Sequence, residues 1–252
     1  MALVHVRDLG KRYSHYHPER PRTLQETFLK GIRRLSPTDY FWALRHINLE
    51  IDSGTVLGII GSNGAGKSTL LRLAGGVGVP DEGRVDVFGR VGALLDLTTG
   101  FHPDLTGREN VIISGVIAGL TRQQVEQRFD SIVSFAELDE FIDSPLRTYS
   151  SGMQMRLGFA VAVHTEPDIL LIDEVLMVGD ISFQQKCLES VAAFRDLGCA
   201  ILVVAHDLEL LRSLCDQVVW LESGSIAAYG KPADTIDQYL KHTQPQPAHF
   251  VS

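Results

Sequence analysis

The chain has 252 residues, of which 44% are hydrophobic and 21% charged, so it is long enough to bury a core as one domain with a subdomain. Its net charge of −8 is unevenly spread: residues 1–45 carry nine Lys/Arg against four Asp/Glu, and the rest carries fourteen against twenty-seven. The acidic body argues against a nucleic-acid partner, whereas the short basic segment suits anionic lipid or an acidic partner.

The cysteines and the apolar runs indicate the compartment. Cys187, Cys199 and Cys215 are odd in number, lack C-x-x-C spacing and lie in apolar or helical surroundings, so we expect core thiols in a reducing compartment rather than disulfides or metal ligands. Apolar runs such as residues 111–120 reach about half of the roughly 20 residues that span a bilayer, and no N-terminal signal is visible. We expect a cytoplasmic protein whose membrane role, if any, needs a separate partner.

The N-terminal part predicts two strands of one sheet, residues 3–9 and 44–51, separated by an irregular basic insertion at 14–40. Residues 23–26 of the insertion fit a capping box, and an apolar stripe with helical spacing follows, formed by Leu24, Phe28, Ile32 and Leu35. Lys30, Arg33 and Arg34 lie off that stripe. Two interpretations stay open: a surface helix docked on its own domain, or a helix docked at a membrane or membrane partner.

Residues 61–69 fill every fixed position of the phosphate-binding loop G-x-x-x-x-G-K-[ST]. A buried strand is predicted before the loop at 55–60 and a helix after it at 68–74, a context that a glycine-rich turn binding nothing would lack. Lys67 is expected to reach the β- and γ-phosphates, and the Ser68 hydroxyl to hold Mg²⁺. The candidate phosphate-binding residues are Gly61, Ser62, Asn63, Gly64, Ala65, Gly66, Lys67, Ser68 and Thr69. The loop therefore predicts a nucleoside triphosphate site.

Beyond the loop, strands are predicted at 84–88 and 91–95, and helical spacing runs from about 106 to 138, most clearly at 121–130 behind a Thr cap. Short apolar runs separated by helical segments then return at 168–172, 200–204 and 217–221. Such runs are typical of a parallel sheet covered on both faces, so the helical block is predicted to be inserted into an α/β domain. A polar tail from residue 243 is expected to be disordered.

Two carboxylates and a histidine follow predicted strands. Asp173 and Glu174 end the apolar run at 169–172, and because neighbouring side chains of a strand face opposite ways, Asp173 can meet Mg²⁺ while Glu174 orients the attacking water. His206 follows the next apolar strand and is expected to contact the γ-phosphate. Either feature alone would be weak evidence for a nucleotide site. Because both follow a complete phosphate loop, the functional interpretation is favoured.

A second anion site is predicted where residues 149–153, Tyr-Ser-Ser-Gly-Met, precede a predicted helix at 154–164. An ordinary Ser cap is the alternative. Because the chain already has one complete phosphate loop, a second γ-phosphate site makes sense if two chains face each other and each completes the other's pocket.

Taken in this order, the motifs of residues 3–241 resemble the ATP-binding subunits of ABC transporters. Ser150 and Gly152 match that family's Leu-Ser-Gly-Gly-Gln signature, whereas Tyr149, Ser151 and Met153 depart from it. The two serine hydroxyls retain hydrogen-bond donors in the signature, so we expect its function to be kept. The family has a sensing Gln at the entry of the helical subdomain; this chain offers Asp96 there instead, which the resemblance places among the metal residues. By resemblance, Ser151 joins Ser150 and Gly152 in the nucleotide site.

Where the sequence departs from the general ABC pattern, it resembles one branch of the family, the exporters of lipid-linked polysaccharides such as O-antigen, capsule and teichoic acid. The resemblance is carried by the signature, by residues 100–110 and 178–187, and by the basic insertion. It implies that the insertion helix lies near the membrane and that Asp180 sits in the loop crossing between the two ATP sites. It also implies an aromatic residue stacked on adenine, for which Tyr13 is preferred over Tyr16, Phe41 or Trp42.

The resemblance implies an α/β P-loop ABC ATPase fold with an N-terminal antiparallel β subdomain and an inserted α-helical subdomain. One nucleotide-binding domain spans 1–242, with the α/β core at 1–95 and 160–242, the helical subdomain at 96–159 and a flexible tail at 243–252. ATP and Mg²⁺ are the implied cofactors, and a second copy and two membrane permease subunits the implied partners, at the cytoplasmic face of the membrane. A soluble ABC ATPase acting on nucleic acid or ribosomes, or an ABC subunit for another substrate, is the alternative.

Overall fold

The computed structural model describes residues 1–15, 39–94, 100–173 and 180–243. In chain order its elements are β1 (Ala2–His15), β2 (Asp39–Asp52), β3 (Val56–Ile60), α1 (Lys67–Ala74), β4 (Glu82–Val87), β5 (Val91–Leu94), α2 (Gly107–Ile117), α3 (Arg122–Ala136), α4 (Ser151–Val163), β6 (Ile169–Asp173), α5 (Ile181–Asp196), β7 (Ala200–Val204), α6 (Leu208–Leu214), β8 (Gln217–Glu222), β9 (Ser225–Gly230) and α7 (Pro232–Thr243). Within the described part of the chain, none of these helices is both long and apolar enough to cross a membrane.

The N-terminal sheet is antiparallel, in the order β2-β1-β4. Its first two strands are longer than the sequence predicts, because β1 stays paired with β2 as far as His15 opposite Asp39, beyond Gly10, the last residue of β1 that pairs with β4. Register shifts on either side of Lys11 interrupt the alternation of polar and apolar residues, and bulges of this kind hide a strand from a period-two pattern. The two strands thus continue as an arm beyond the sheet.

The central sheet has six strands in the order β5-β6-β7-β3-β8-β9. Its inner strands β3 and β7 are buried at every position, as expected for parallel strands covered on both faces. The strands predicted at 168–172, 200–204 and 217–221 are parallel as expected, whereas the edge strand β9, which the sequence pattern did not predict, runs antiparallel to β8. The two are joined through Ser223 and Gly224, whose φ angles of 47° and 79° suit a tight hairpin turn.

In the helical block between β5 and β6, α2 and α3 begin where the sequence predicts, whereas α4 begins at Ser151 rather than at the predicted residue 154. Thr106 and Thr121 each accept a backbone N–H with their side chains, and Glu109 and Gln124 complete two capping boxes. Phe135, Phe159 and Phe183 then join α3, α4 and α5 through ring contacts with centroids about 6 Å apart. This aromatic contact ties the helical block to the helix that follows β6.

The three cysteines are buried and unpaired, as the sequence predicts. Burial raises the pKa of the Cys187, Cys199 and Cys215 thiols to about 12. A thiol reacts as the thiolate, so at neutral pH these three groups are inert members of the core.

Candidate nucleotide-binding site

The phosphate loop runs from the end of β3 to the start of α1, in the strand–loop–helix arrangement that the sequence predicts. Gly66 is the N-cap of α1 and has φ of +102°, a conformation that glycine adopts without strain. The first N–H groups of α1 therefore face the loop together with the positive end of the helix dipole, as an anion-binding site requires. Lys67 lies over the loop, with Nζ donating to the carbonyl oxygens of Gly61 at 2.9 Å and Ser62 at 3.1 Å.

Two glycines let the loop pass close to neighbouring backbone. A Cβ on Gly66 would lie 2.5 Å from the Ala43 carbonyl oxygen, and a Cβ on Gly61 would lie 2.3 Å from that of Leu221. Real Cβ atoms do not approach oxygen so closely, so β2 fixes one end of the loop and β8 the other. The N-terminal sheet and the central sheet together set the position of the loop.

A cavity of about 400 Å³ lies beside the loop and reaches the arm formed by β1 and β2. Tyr13 and Phe41, which pair directly across the two strands, form its far wall, and their half-exposed ring centroids are 5.9 Å apart. The other lining residues are Ala43, Asn63, Gly64, Gly66, Lys67, Ser68 and Thr69. The cavity can hold a base against the aromatic wall and phosphates against the loop.

Of the aromatic residues considered for the base, Tyr13 and Phe41 line this cavity, whereas Trp42 does not. The guanidinium groups of Arg12 and Arg45 lie over the Trp42 ring, at 5.9 and 5.2 Å from its centroid. Tyr16 lies outside the described residues. The direct pairing of Phe41 with Tyr13 depends on the strand register, which the sequence pattern did not provide.

The carboxyl ends of three neighbouring strands are level with one another. Asp173 at the end of β6 pairs with Val204 of β7, and Val204 pairs with Ile59 of β3. His206 comes two residues after Val204, and the phosphate loop begins two residues after Ile59. Asp173 is only half-buried at this edge, whereas the rest of β6 is fully buried. The sheet thus directs the carboxylate, the histidine and the loop to the same edge.

Lys67 and His206 line one small cavity of about 110 Å³. Its other lining residues are Ile60, Gly61, Ala205, Leu208 and Tyr239. Tyr239 comes from α7, far along the chain, and sequence reasoning missed it. No local pattern marks such a residue, because it enters the site only through the packing of the C-terminal helix.

The signature residues lie at the start of α4, and none of Ser150, Ser151 and Gly152 lines either cavity. Ser150 is the N-cap, and its Oγ accepts the Met153 N–H at 3.2 Å, so the ordinary Ser cap is present. The hydroxyl can still donate its own proton outward. Tyr149, the departure before it, is buried, and its hydroxyl donates to the Phe141 carbonyl at 2.6 Å. Burial, aided by the charge of Asp143, raises the pKa of Tyr149, so this residue anchors the signature as a neutral phenol.

Asp180 is the N-cap of α5, and its Oδ1 accepts the Phe183 N–H at 2.9 Å. The side chain therefore has a structural role within its own chain, and it lines neither cavity. Glu174, Asp96 and the basic insertion helix lie outside the described residues. The roles expected for them stay predictions.

The donor set suits Mg²⁺ bound together with a nucleotide. In the described ranges, no group of three or more His, Cys, Asp or Glu residues could hold a metal ion by itself. Ser68 and Asp173 offer one hydroxyl and one carboxylate, hard oxygen ligands that Mg²⁺ prefers, and Mg²⁺ takes its other ligands from phosphates and water. A Mg²⁺ ion here would neutralise phosphate charge, and Ser68 and Asp173 would hold it.

The fold and the site define a P-loop nucleotide-binding protein with a helical block inserted between the loop and the carboxylate strand. The chain belongs to the ABC transporter family, which it matches over residues 44–177. It is 45% identical to the O-antigen export system ATP-binding protein RfbB of Klebsiella pneumoniae, over 89% of this chain and 87% of that protein. The family membership expected from the motifs is thereby confirmed, and with it an ATP-binding ATPase domain.

Other relatives are longer than this chain. This chain is 49% identical to RfbB of Myxococcus xanthus over 84% of this chain. It is 44% identical to the teichoic acids export ATP-binding protein TagH of Lactococcus lactis over 81% of this chain. These alignments span 48% and 44% of the relatives, so the chain matches about half the length of each.

Solved structures confirm the expected fold. An ATP-binding subunit of an ABC transporter superposes with a TM-score of 0.77 at 22% identity, over 96% of this chain and all of that one. An ATP-binding cassette solved as a dimer with ADP and Pi gives a TM-score of 0.72, also at 22% identity, over 91% of this chain and 98% of that one.

Replacing Gly66 by Ala tests the tight passage of the loop past β2. We expect the free energy of unfolding to fall by at least about 3 kcal/mol, because a positive φ and a collision with the Ala43 carbonyl act together. Gly64→Ala is the matched control: Gly64 also has a positive φ of +81°, but no described residue lies within 4 Å of the added Cβ, so the change should cost about 1 kcal/mol. Urea denaturation without nucleotide measures both, and equal losses would contradict this account of Gly66.

Proposed function

We propose that this chain is the ATP-hydrolysing subunit that drives export of a lipid-linked cell-surface polysaccharide through a membrane permease. The convergence of Lys67 and His206 on one cavity beside the phosphate loop carries the hydrolytic part of the proposal. The RfbB and TagH relatives, which are named as O-antigen and teichoic acid export proteins, support a polysaccharide as the transported substrate.

In this proposal each side chain has one task in hydrolysis. Tyr13 stacks on adenine, the loop N–H groups and Lys67 hold the phosphates, and Ser68 and Asp173 hold Mg²⁺. Glu174 orients the attacking water, and His206 contacts the γ-phosphate. The level ends of β6, β7 and β3 support this division of roles, because they bring Asp173 and His206 to the edge where the loop begins.

The complete site requires a second copy of the chain, whose Ser150, Ser151 and Gly152 close over the γ-phosphate, with Asp180 between the two sites. Three observations support a homodimer. Ser150 and Ser151 are exposed beside the positive end of α4. Among the described residues, a Cβ on Gly152 would meet only the Ser150 Oγ, at 3.9 Å, so nothing in that part of its own chain requires a glycine there. Ile181, next to Asp180, is 85% exposed, which suits a surface that another chain covers.

The partner in the membrane is a pair of permease subunits, with the ATPase bound peripherally at the cytoplasmic face. Ile113, Val116 and Ile117 expose apolar surface on α2, and Ile117 is 71% exposed. Beside them lies a groove of about 260 Å³, and within the described ranges the neighbouring Ser114 hydroxyl is buried without a hydrogen-bond partner. An exposed apolar patch with an unsatisfied hydroxyl supports docking of another protein.

A complementation experiment tests the proposed function. In a host whose own copy is deleted, the full native chain should restore polysaccharide at the cell surface, whereas Lys67→Ala should lower it at least about tenfold because the phosphates lose their cation. Lys241→Ala, at an exposed position in the last turn of α7, is the matched control and should restore export fully. Full export by the Lys67 variant, or a host that makes normal surface polysaccharide without the gene, would reject the proposal.

A second experiment tests the two-chain site. Glu174→Gln should retain ATP but lose most hydrolysis, typically about 10² to 10⁴ in rate, so it should accumulate as an ATP-bound dimer on a sizing column. Adding Ser150→Arg should abolish that dimer, because a bulky cation would replace the small donor beside the phosphate. Ser131→Arg, at an exposed position of α3, is the matched control and should leave the dimer intact. A dimer that survives Ser150→Arg would show that the signature does not form the interface.

A further inference from the structure

The C-terminal helix α7 packs directly behind the strand that delivers the phosphate loop. Its Ile236 is fully buried, and the ring of Tyr239 meets that of Trp220 edge to face with centroids 5.7 Å apart. Trp220 lies on β8, where it pairs with Ile60, the last residue of β3 before the loop. Trp220 therefore connects the Tyr239 ring to the last residue of β3 before the phosphate loop.

Tyr239 also lines the small cavity that Lys67 and His206 share. The residue thus has two surroundings: Trp220 in the core and the cavity wall beside the histidine. Packing against Trp220 alone would give the ring only a structural role. Because Tyr239 and His206 line the same cavity, the ring is also placed where it can limit the positions of the His206 side chain.

The segment that carries His206 is attached to α7 through α6. Asp207 directly follows the histidine and caps α6, accepting the N–H groups of Glu209 and Leu210, both at 3.0 Å. On the same helix, Arg212 donates to Asp237 of α7 at 2.8 Å. At the far end of α7, His242 lies 2.7 Å from the Glu222 carboxylate of β8. The C-terminal helix is thereby fixed both to the histidine segment and to the strand beside the loop.

We propose that Tyr239 is a positioning residue for ATP hydrolysis, whose ring bounds the cavity and holds the His206 side chain toward the phosphate loop. This rests on the proposed function, in which His206 contacts the γ-phosphate. The ring needs no contact with the nucleotide for this role. Its effect passes through the histidine, so it acts on the rate of hydrolysis and leaves the binding of ATP unaffected.

The test uses the purified full chain and measures ATPase kcat and ATP affinity separately. Tyr239→Leu keeps apolar volume against Trp220 but removes the ring from the cavity wall. It should lower kcat roughly tenfold, because the rate of hydrolysis falls steeply when a catalytic group is displaced. ATP affinity should stay within a factor of about two. Tyr239→Phe restores the ring and should return kcat to the wild-type value. Leu240→Ala, on the same helix but partly exposed, should leave kcat unchanged.

A double variant distinguishes positioning from general stability. In a His206→Ala background, Tyr239→Leu should cause no further loss of kcat, because the side chain that it positions is gone. If the fold-losses in kcat of His206→Ala and Tyr239→Leu multiply in the double variant, the proposal is overturned. A wild-type kcat in Tyr239→Leu would also overturn it, and so would a kcat of Tyr239→Phe as low as that of Tyr239→Leu. Normal hydrolysis by His206→Ala alone would instead reject the role of His206 in the proposed function.

Discussion

The register of three parallel strands is the constraint on which the site depends. Because Asp173, Val204 and Ile59 are level across β6, β7 and β3, the residues that follow each strand emerge at the same edge of the sheet. The strands lie about 4.8 Å apart in any sheet, so groups distant in sequence come close together at that edge. A slip of one residue in β6 would turn the Asp173 side chain to the opposite face.

The two sheets share the task of fixing the phosphate loop. The Ala43 carbonyl approaches the loop from β2 and that of Leu221 from β8, and each leaves room only for a glycine. The same β2 continues outward with β1 as the arm that presents Tyr13 and Phe41 to the larger cavity. The distance from the aromatic wall to the phosphate loop is thus fixed by one continuous strand.

Local motifs were predictable from the sequence, whereas long-range contacts were not. The phosphate loop, the buried strands around Asp173 and His206, and the Thr106 and Thr121 helix starts follow from residue spacing and capping chemistry. The extension of β1 was missed because its bulges break the alternation of side chains, and the antiparallel β9 was missed because its residues are half exposed. Tyr239 could not be found, since its place at the cavity depends on how α7 packs on β8. The departure at Tyr149 is explained by its buried hydroxyl, which bonds across the helical block.

Mn²⁺ binding tests the central claim that strand register brings Asp173 to the metal of the bound nucleotide. With Mn²⁺ in place of Mg²⁺, electron paramagnetic resonance titration of the ATP-loaded chain measures metal affinity directly. Asp173→Asn should weaken Mn²⁺ binding about tenfold or more, because a neutral amide replaces a charged oxygen ligand, while the exposed Asp196→Asn should not. ATP affinity measured without metal should be the same in all three proteins. Unchanged Mn²⁺ affinity in Asp173→Asn would contradict the account.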